Sequence, residues 1–401
     1  MDRPESDPVV VRADHRDHPA ASGLRLYAAL VIREYINMAT LPLESTTVDT
    51  PRDDALRSWR LAGVALTVTR FIQGFIYWGG GSRRFIYGPA KLDPHAPHWM
   101  AYKFQTAMPG ALFGLDHLIA FMLQHFYVLY VGVIIFSAVE LVFGLMLMVG
   151  LLTRLGALVS MLLSVVLMAL FGWQGATCID EWTMAACNLA MGTTLLLAGG
   201  SAYSIDNVLL RIRPALSGKA WFQWMGGSLP LPQSDRAFRT LALALFVFVA
   251  AYNVGTYSYF RGSVVTPFHS GPISPTVHHL TMRNGKLLAD GQVRFHVYLD
   301  AGTPEAPVHI VEAALLGTDG TVIEHWDASA LSTLPKAAFS NDFAYNQFAA
   351  GPYGIRASMG AAATITLPPV PHSNVSPDTR VTLRLTDVDG RSFAAHLESI
   401  T

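Results

Sequence analysis

Five long apolar segments constrain the fold of this 401-residue chain more than any other feature. A helix needs roughly 17–25 mostly apolar residues to cross the hydrocarbon core of a bilayer. Five segments meet this requirement and are predicted spans: 61–78, 127–152, 155–173, 183–200 and 240–260. The composition agrees, because only 14% of the residues are charged, about half of the usual fraction in soluble proteins. We therefore expect a helical membrane protein in contact with a lipid bilayer.

Two further apolar stretches are too weak or too short to span. Residues 109–126, between the first two spans, include one aspartate and two histidines and predict a re-entrant or interfacial helix. Near the N-terminus, Arg33 and Glu34 interrupt a short apolar segment, which predicts an interfacial helix within residues 1–55.

Basic residues in the loops predict the orientation of the spans. Nine of them lie in the three regions that share a side with the N-terminus: Arg52, Arg57, Arg60, Arg154, Arg211, Arg213, Lys219, Arg236 and Arg239. The loop after the third span contains no lysine or arginine. We therefore expect the N-terminus in the cytoplasm, and both that loop and the C-terminal region outside it.

The region after the fifth span has the pattern of a β domain. Turn dipeptides recur at Asn284-Gly285, Asp290-Gly291, Asp319-Gly320 and Asp389-Gly390, between short alternating segments such as VRFHVYL. Short strands at regular spacing predict an external all-β domain, and we expect an immunoglobulin-like sandwich.

These features divide the chain into five parts. The predicted parts are an N-terminal extension (1–55), a four-span membrane domain (56–213), a cytoplasmic linker (214–238), a fifth, anchoring helix (239–261) and the β domain (262–401).

Both cysteines lie in one external stretch, GWQGATCIDEWTMAACNLAMG, which begins at Gly172. Cys178 falls in the loop and Cys187 about one turn into the fourth span, with Asp180 and Glu181 between them. Two cysteines can form one disulfide, which an oxidising exterior favours, or each can be a buried free thiol. The sequence leaves these alternatives open.

Two ionisable residues lie within predicted spans, where a charge is costly unless it is paired. These residues are Arg70 in the first span and Glu140 in the second. They can pair with each other as a structural bridge, or they can serve a functional site such as one for a quinone head group.

A basic external loop follows the first span, with Arg83, Arg84, Lys91 and Lys103. Basic residues are disfavoured on the outer side of a membrane protein, so this group predicts an anion-binding site rather than only a solvated charged surface. Gly79–Gly81 precede it, and glycines allow a backbone to approach a ligand closely.

Several site classes have no motif in this sequence. The haem-attachment, nucleotide-binding and iron–sulfur motifs do not occur, and no histidine pair has the companions that a metal site needs. We therefore predict no metal or nucleotide cofactor. With a net charge of −1, the chain also provides no general field for nucleic acid.

Three motifs of the membrane half resemble the DoxD/DoxX family: TRFIQGFIYWGGGSRRFIYGPAKLDP, AVELVFGLMLMVGLLTRLGAL and GWQGATCIDEWTMAACNLAMG. The region from AYNVGTYSYFRGSVVTPFHSGP through VIEHWDASALSTLPKAAF to GPYGIRASMGAAATITLPP is similar to DoxA. The resemblance implies a DoxX-like four-helix bundle, an anchoring helix and a DoxA-like periplasmic domain in a bacterial inner membrane. It also implies a thiosulfate:quinone oxidoreductase, which oxidises two thiosulfates to tetrathionate and reduces membrane quinone.

The chemistry of this reaction suggests roles for the residues above. Joining two dianions requires cations, and Arg83, Arg84 and Lys91 are the predicted thiosulfate-binding residues. A further hypothesis makes Cys178 and Cys187 a redox pair, with Asp180 and Glu181 as proton carriers. The predicted quinone contacts, with quinone as the electron-accepting substrate, are Arg70, Glu140 and Trp182.

Two other functions remain as alternatives. One is a thiol–quinone oxidoreductase, although such enzymes usually have a second cysteine pair. The other is a non-catalytic DoxX-type membrane scaffold whose sandwich binds a protein. The sequence leaves open whether the chain forms a homo-oligomer.

Overall fold

The structure is a computed structural model. It describes residues 51–174, 181–200, 202–261, 274, 276–370 and 381–399, and of 51–56, 261 and 399 the backbone alone. The predicted interfacial helix around Arg33 and Glu34 lies outside the described residues, and only the last five positions of the N-terminal extension 1–55 are described. These positions belong to the first helix described below.

Ten helices make up the described chain up to residue 261. They are α1 (Pro51–Ala65), α2 (Thr67–Ser82), α3 (Met100–Ala107), α4 (Leu115–Gln124), α5 (Phe126–Val149), α6 (Thr153–Phe171), α7 (Glu181–Ala198), α8 (Ile205–Ile212), α9 (Ala220–Met225) and α10 (Asp235–Arg261). A π-helical turn, Arg83–Tyr87, extends α2, and 3₁₀ turns follow at Pro89–Lys91, Met108–Gly110 and Pro214–Gly218.

In the described part of the chain, three helices are long and apolar enough to cross a membrane, namely α5, α6 and α10. The bent pair Arg57–Ala65 and Thr67–Tyr87, with an angle of 41° between its parts, makes a fourth if it is counted as one span. The segment 183–200 forms α7, but this helix is less apolar and does not reach the same limit. The prediction of a helical membrane protein is thus confirmed, with fewer clear spans than the five expected.

Glycines bring α2 and α5 into close contact. A Cβ atom on Gly74 would lie 2.7 Å from the carbonyl oxygen of Gly144, and one on Gly81 would lie 2.6 Å from the backbone nitrogen of Leu141. Both distances are well below an ordinary van der Waals contact. Gly81 therefore serves helix packing, whereas a Cβ on Gly79 would meet nothing within 4 Å.

Buried charged side chains close the end of the bundle that lies away from the β domain. The Arg154 guanidinium donates to the carbonyl oxygens of Leu196, Gln223, Gly226 and Leu229. Carbonyl groups at helix ends and in turns have no partner within the helix, so a buried guanidinium can satisfy several of them. Part of the predicted linker 214–238 is thus built into the bundle through α9.

Ten strands form the C-terminal domain. They are β1 (His279–Leu287), β2 (Val293–Ala301), β3 (Val308–Leu316), β4 (Val322–Trp326), β5 (Phe339–Asn341), β6 (Phe348–Gly351), β7 (Gly354–Ala357), β8 (Ala362–Leu367), β9 (Val381–Asp387) and β10 (Ser392–Ser399). A short helix, α11 (Ala328–Ser332), and a 3₁₀ turn, Lys336–Ala338, lie between β4 and β5.

The strands join into one barrel-like sheet in the order β5-β8-β2-β1-β10-β9-β3-β7-β6, and β4 pairs with β3. All pairs are antiparallel except β1 and β10, which are parallel and link the two halves. Inward-facing residues of both halves share one core. The all-β prediction is confirmed, while an immunoglobulin-like sandwich is not.

Buried hydrogen bonds attach the β domain to α3. The Gln105 side chain is buried, donates to the carbonyl oxygens of Asn346 (2.8 Å) and Gly360 (3.0 Å), and accepts from the Asn346 amide (2.8 Å). Trp173, two residues beyond the end of α6, donates to the carbonyl oxygen of Ala107 at 2.9 Å. The loop after α2, the end of α6 and the β domain therefore lie at the same end of the bundle.

Candidate functional site

An ion pair between α2 and α5 lies at the β-domain end of the bundle. The π-helical turn after α2 carries Arg84, which pairs with Glu140 of α5 and donates to the Ser137 hydroxyl at 3.3 Å. Its guanidinium lies 5.7 Å from the centre of the Phe136 ring. The two charged side chains are only 14% and 7% exposed, so the pair is nearly buried. Glu140 thus has Arg84 as its partner, not Arg70.

Further basic side chains surround this pair. Burial, together with repulsion from Lys103, Arg84 and Arg83, lowers the pKa of the Lys91 ammonium. Since charge repulsion of this kind requires proximity, the four basic residues form one group. We call Arg83, Arg84, Lys91 and Lys103 the basic cluster.

A second carboxylate also faces the basic cluster. Glu181, the first residue of α7, pairs with Lys103 at 2.5 Å. Lys103 lies 5.1 Å from the centre of the Phe171 ring, at the end of α6. The four cations of the basic cluster thus outnumber the carboxylates of Glu140 and Glu181 by two to one. Arg83 and Lys91 make no ion pair with any residue that the structure describes, so the cluster has cationic groups available for an anion.

A buried polar network lies deeper in the bundle, and sequence reasoning missed it. Gln73 of α2 donates to the Ser160 hydroxyl and to the carbonyl oxygen of Asn188, both at 2.8 Å. The Tyr77 hydroxyl donates to the carbonyl oxygen of Ser160 at 2.9 Å and lies 2.7 Å from the Ser164 hydroxyl. Gln73 and Tyr77 are four residues apart and therefore lie on one face of α2. This spacing was the only signal in the sequence.

The three predicted quinone contacts do not come together. Arg70 lies at the other end of α2, where its guanidinium donates to the carbonyl oxygens of Gly200, Ala202 and Tyr203. Gly80 lies beside Glu140, and it is ten residues, or about 15 Å of helix, from Arg70.

Trp182, the third of these residues, instead joins α7 to α10. Its indole nitrogen donates to the Thr256 hydroxyl at 2.9 Å, and its ring centre lies 5.5 Å from that of Tyr257.

The cysteine-bearing stretch is described only in part. Cys178 and Asp180 lie outside the described residues, and Cys187 is a free, exposed thiol on α7 in the part of the chain that the structure describes. Two residues of this stretch, Trp173 and Glu181, contact α3, through Ala107 and Lys103 respectively. The disulfide and the redox role of the cysteines stay predictions.

Two family models match the chain, and together they cover both of its domains. The model described as TQO small subunit DoxD matches residues 66–231, from the start of α2 to just beyond α9. The model described as TQO small subunit DoxA matches residues 260–396, which include the β domain except for the last residues of β10. TQO denotes thiosulfate:quinone oxidoreductase. The chain is therefore a fusion of DoxD and DoxA, two small-subunit families of this oxidoreductase.

Proposed function

We propose that this protein oxidises two thiosulfates to tetrathionate and reduces a membrane quinone. We place it in the bacterial inner membrane, with its N-terminus in the cytoplasm and its β domain in the periplasm. The basic cluster carries this proposal, since it gathers four cationic side chains at the β-domain end of the bundle.

The substrates make such a cluster necessary. Two thiosulfate dianions repel each other by about 4 kcal/mol at 4 Å in water, and by more in a less polar site. Glu140 and Glu181 hold Arg84 and Lys103 in fixed positions, while Arg83 and Lys91 remain without an anionic partner among the described residues. Fixed cations that need no reorganisation can hold two anions in reactive geometry.

The electron transfer follows from the cysteine hypothesis. The sulfane sulfur of one thiosulfate attacks a Cys178–Cys187 disulfide, which gives a cysteine–S–sulfonate adduct and one thiolate. A second thiosulfate attacks the sulfane sulfur of the adduct, so tetrathionate and the second thiolate leave. The two thiolates then pass two electrons to the quinone, which takes up two protons to form quinol, and the disulfide is restored.

The first experiment follows reduction of a soluble quinone analogue by the purified protein in detergent, with tetrathionate quantified. We expect two thiosulfates to be consumed for each quinone. Arg83→Gln and Lys91→Gln should each raise the KM for thiosulfate about tenfold, as expected for losing one charged contact. Lys336→Gln, which removes an exposed lysine of the β domain, is the matched control and should leave this KM unchanged.

A folded wild-type protein that reduces no quinone with thiosulfate would contradict the proposal and favour the scaffold. Cys178→Ser and Cys187→Ser test the route of the electrons, since each should abolish tetrathionate formation. Full activity in both variants would mean that thiosulfate reduces quinone without the thiols.

A further inference from the structure

A cavity of about 480 Å³ lies between the two domains, and none of the four residues of the basic cluster lines it. The membrane half contributes α4 and the 3₁₀ turn Met108–Gly110, and the β domain contributes strands β1 and β2 with the loop after β5. A volume of this size is in the range of small-molecule sites.

Polar groups converge on this cavity from the β domain. His296 pairs with Asp342 at 2.9 Å between Nε2 and Oδ2, and it lies beside Tyr298 on the wall. The side chains of Arg283 and Asn284 make no hydrogen bond or ion pair with any residue that the structure describes. Burial, with Asp300 and Asp116 nearby, raises the pKa of Tyr298, so its hydroxyl keeps its proton and can donate.

The charges of the wall disfavour a sulfur dianion as the ligand. Two carboxylates, Asp116 and Asp342, face the cavity against the single guanidinium of Arg283. Apolar groups fill much of the remaining wall, among them Met108 and Phe343. Such a lining suits an uncharged ring with oxygen atoms that accept hydrogen bonds.

The position of the cavity favours a ligand that arrives from lipid. The face of α4 that points away from the cavity exposes Leu118 and Phe121, which are 52% and 49% accessible. These side chains are close in sequence to Tyr127, which is 82% exposed at the start of the span α5. Exposed apolar residues on a short helix beside a span place that helix in the membrane interface. The cavity therefore adjoins the membrane surface.

We propose that this cavity binds the head group of the membrane quinone. Tyr298 and Arg283 are the donors for its carbonyl oxygens, while His296, whose Nε2 donates to Asp342, lines the site beside Tyr298. This inference rests on the proposed function, because it assigns a place to the electron acceptor of that reaction. It also replaces Arg70 and Trp182 as the predicted quinone contacts, because both side chains form other contacts in the structure.

The cavity and the basic cluster share one helix. Lys103 of the cluster and Met108 of the cavity wall are five residues apart, or about 7.5 Å along α3 and the turn after it. Trp173, which belongs to the cysteine-bearing stretch, packs on the same turn, since a Cβ on Gly110 would overlap its ring. The thiosulfate and quinone sites are thus neighbours on the same side of the bundle.

The test measures binding of a short-chain quinone analogue by calorimetry in detergent, together with the KM values for quinone and thiosulfate. Tyr298→Phe should weaken binding and raise the quinone KM about tenfold, as for one lost hydrogen bond, and His296→Ala should have a similar effect because it removes part of the cavity wall. The thiosulfate KM should stay within a factor of about two. His325→Ala is the matched control, because His325 is an exposed histidine that faces Glu312 on the same domain.

The possible outcomes separate this inference from the proposed function. An active wild type with unchanged quinone binding in both variants would overturn the quinone site and leave the reaction intact. A higher KM for thiosulfate alone would also overturn it, because the cavity would then hold the sulfur anion. If the wild type binds the analogue through Tyr298 but shows no turnover with thiosulfate, the site stands and the proposed reaction fails. Tyr298→Phe changes a single oxygen atom, so it covers the case in which His296→Ala does not fold.

Discussion

Gly144→Ala should separate α2 from α5 and destabilise the bundle. A Cβ atom at this position would overlap the backbone nitrogen of Trp78 and lie 2.8 Å from the carbonyl oxygen of Gly74. Favourable contacts begin at about 3.5 Å and the nearest backbone atom would lie at 2.3 Å, so the two helices must part by roughly 1.2 Å. Overpacking usually costs about 1–3 kcal/mol, and contact with backbone rather than with a flexible side chain places this case at the upper end. The gain in helix propensity, at most about 1 kcal/mol, offsets only part of this cost.

Thermal unfolding in detergent measures the effect. A net loss of about 2 kcal/mol should lower the Tm by several degrees, since about 1 kcal/mol corresponds to 2–4 °C in a domain of this size. Quinone reduction should fall as well, because Arg84 and Glu140 lie on the two helices that move apart.

Gly79→Ala is the matched control on α2, because its Cβ would meet nothing within 4 Å. We expect its Tm to equal or slightly exceed that of the wild type. A lower activity of Gly79→Ala at unchanged stability would indicate that a substrate approaches this glycine. If Gly144→Ala unfolds at the wild-type temperature, the close crossing of α2 and α5 is wrong.

Further predictions concern the basic cluster and the hydrogen bonds that attach the β domain to α3. The KM for thiosulfate should increase as the pH rises through the pKa of Lys91, because the charged ammonium that binds the anion is then lost. Since the pKa of Lys91 is lowered, this increase should begin at a lower pH than an ordinary lysine would give. Lys91→Arg keeps its charge and should remove this rise; an identical pH profile would show that Lys91 does not contact the anion. Gln105→Ala leaves the buried amide of Asn346 without its acceptor and should cost about 1–3 kcal/mol. Limited proteolysis should then release the β domain faster, whereas an unchanged rate would mean that other contacts hold the domains together.

Three of the four turn dipeptides in the β domain connect consecutive strands, as the sequence predicts. Gly291, Gly320 and Gly390 each have a positive φ, near 80°, between consecutive strands. Asn284-Gly285 is different, because both residues lie inside β1, where the pairing with β2 shifts register and Asn284 has a φ of 51°. Asn284-Gly285 therefore forms a β-bulge instead of a turn, because the residues before and after it both pair with β2.

The sequence by itself determined the two halves of this protein: apolar helices with candidate spans, followed by a β domain. Hydropathy and turn chemistry are local properties, so each segment carries its own signal. It also pointed to Arg83, Arg84 and Lys91 as a group, because they are close in the chain.

Only the tertiary structure decided which charges meet. Glu140 has Arg84 rather than Arg70 as its partner because the glycine crossing sets how far α2 slides along α5. Likewise, the cavity joins Asp116 to His296 and Asp342, which are far apart in the chain. Such contacts depend on the relative position of packed elements, and this position is a property of the whole core that no single segment encodes.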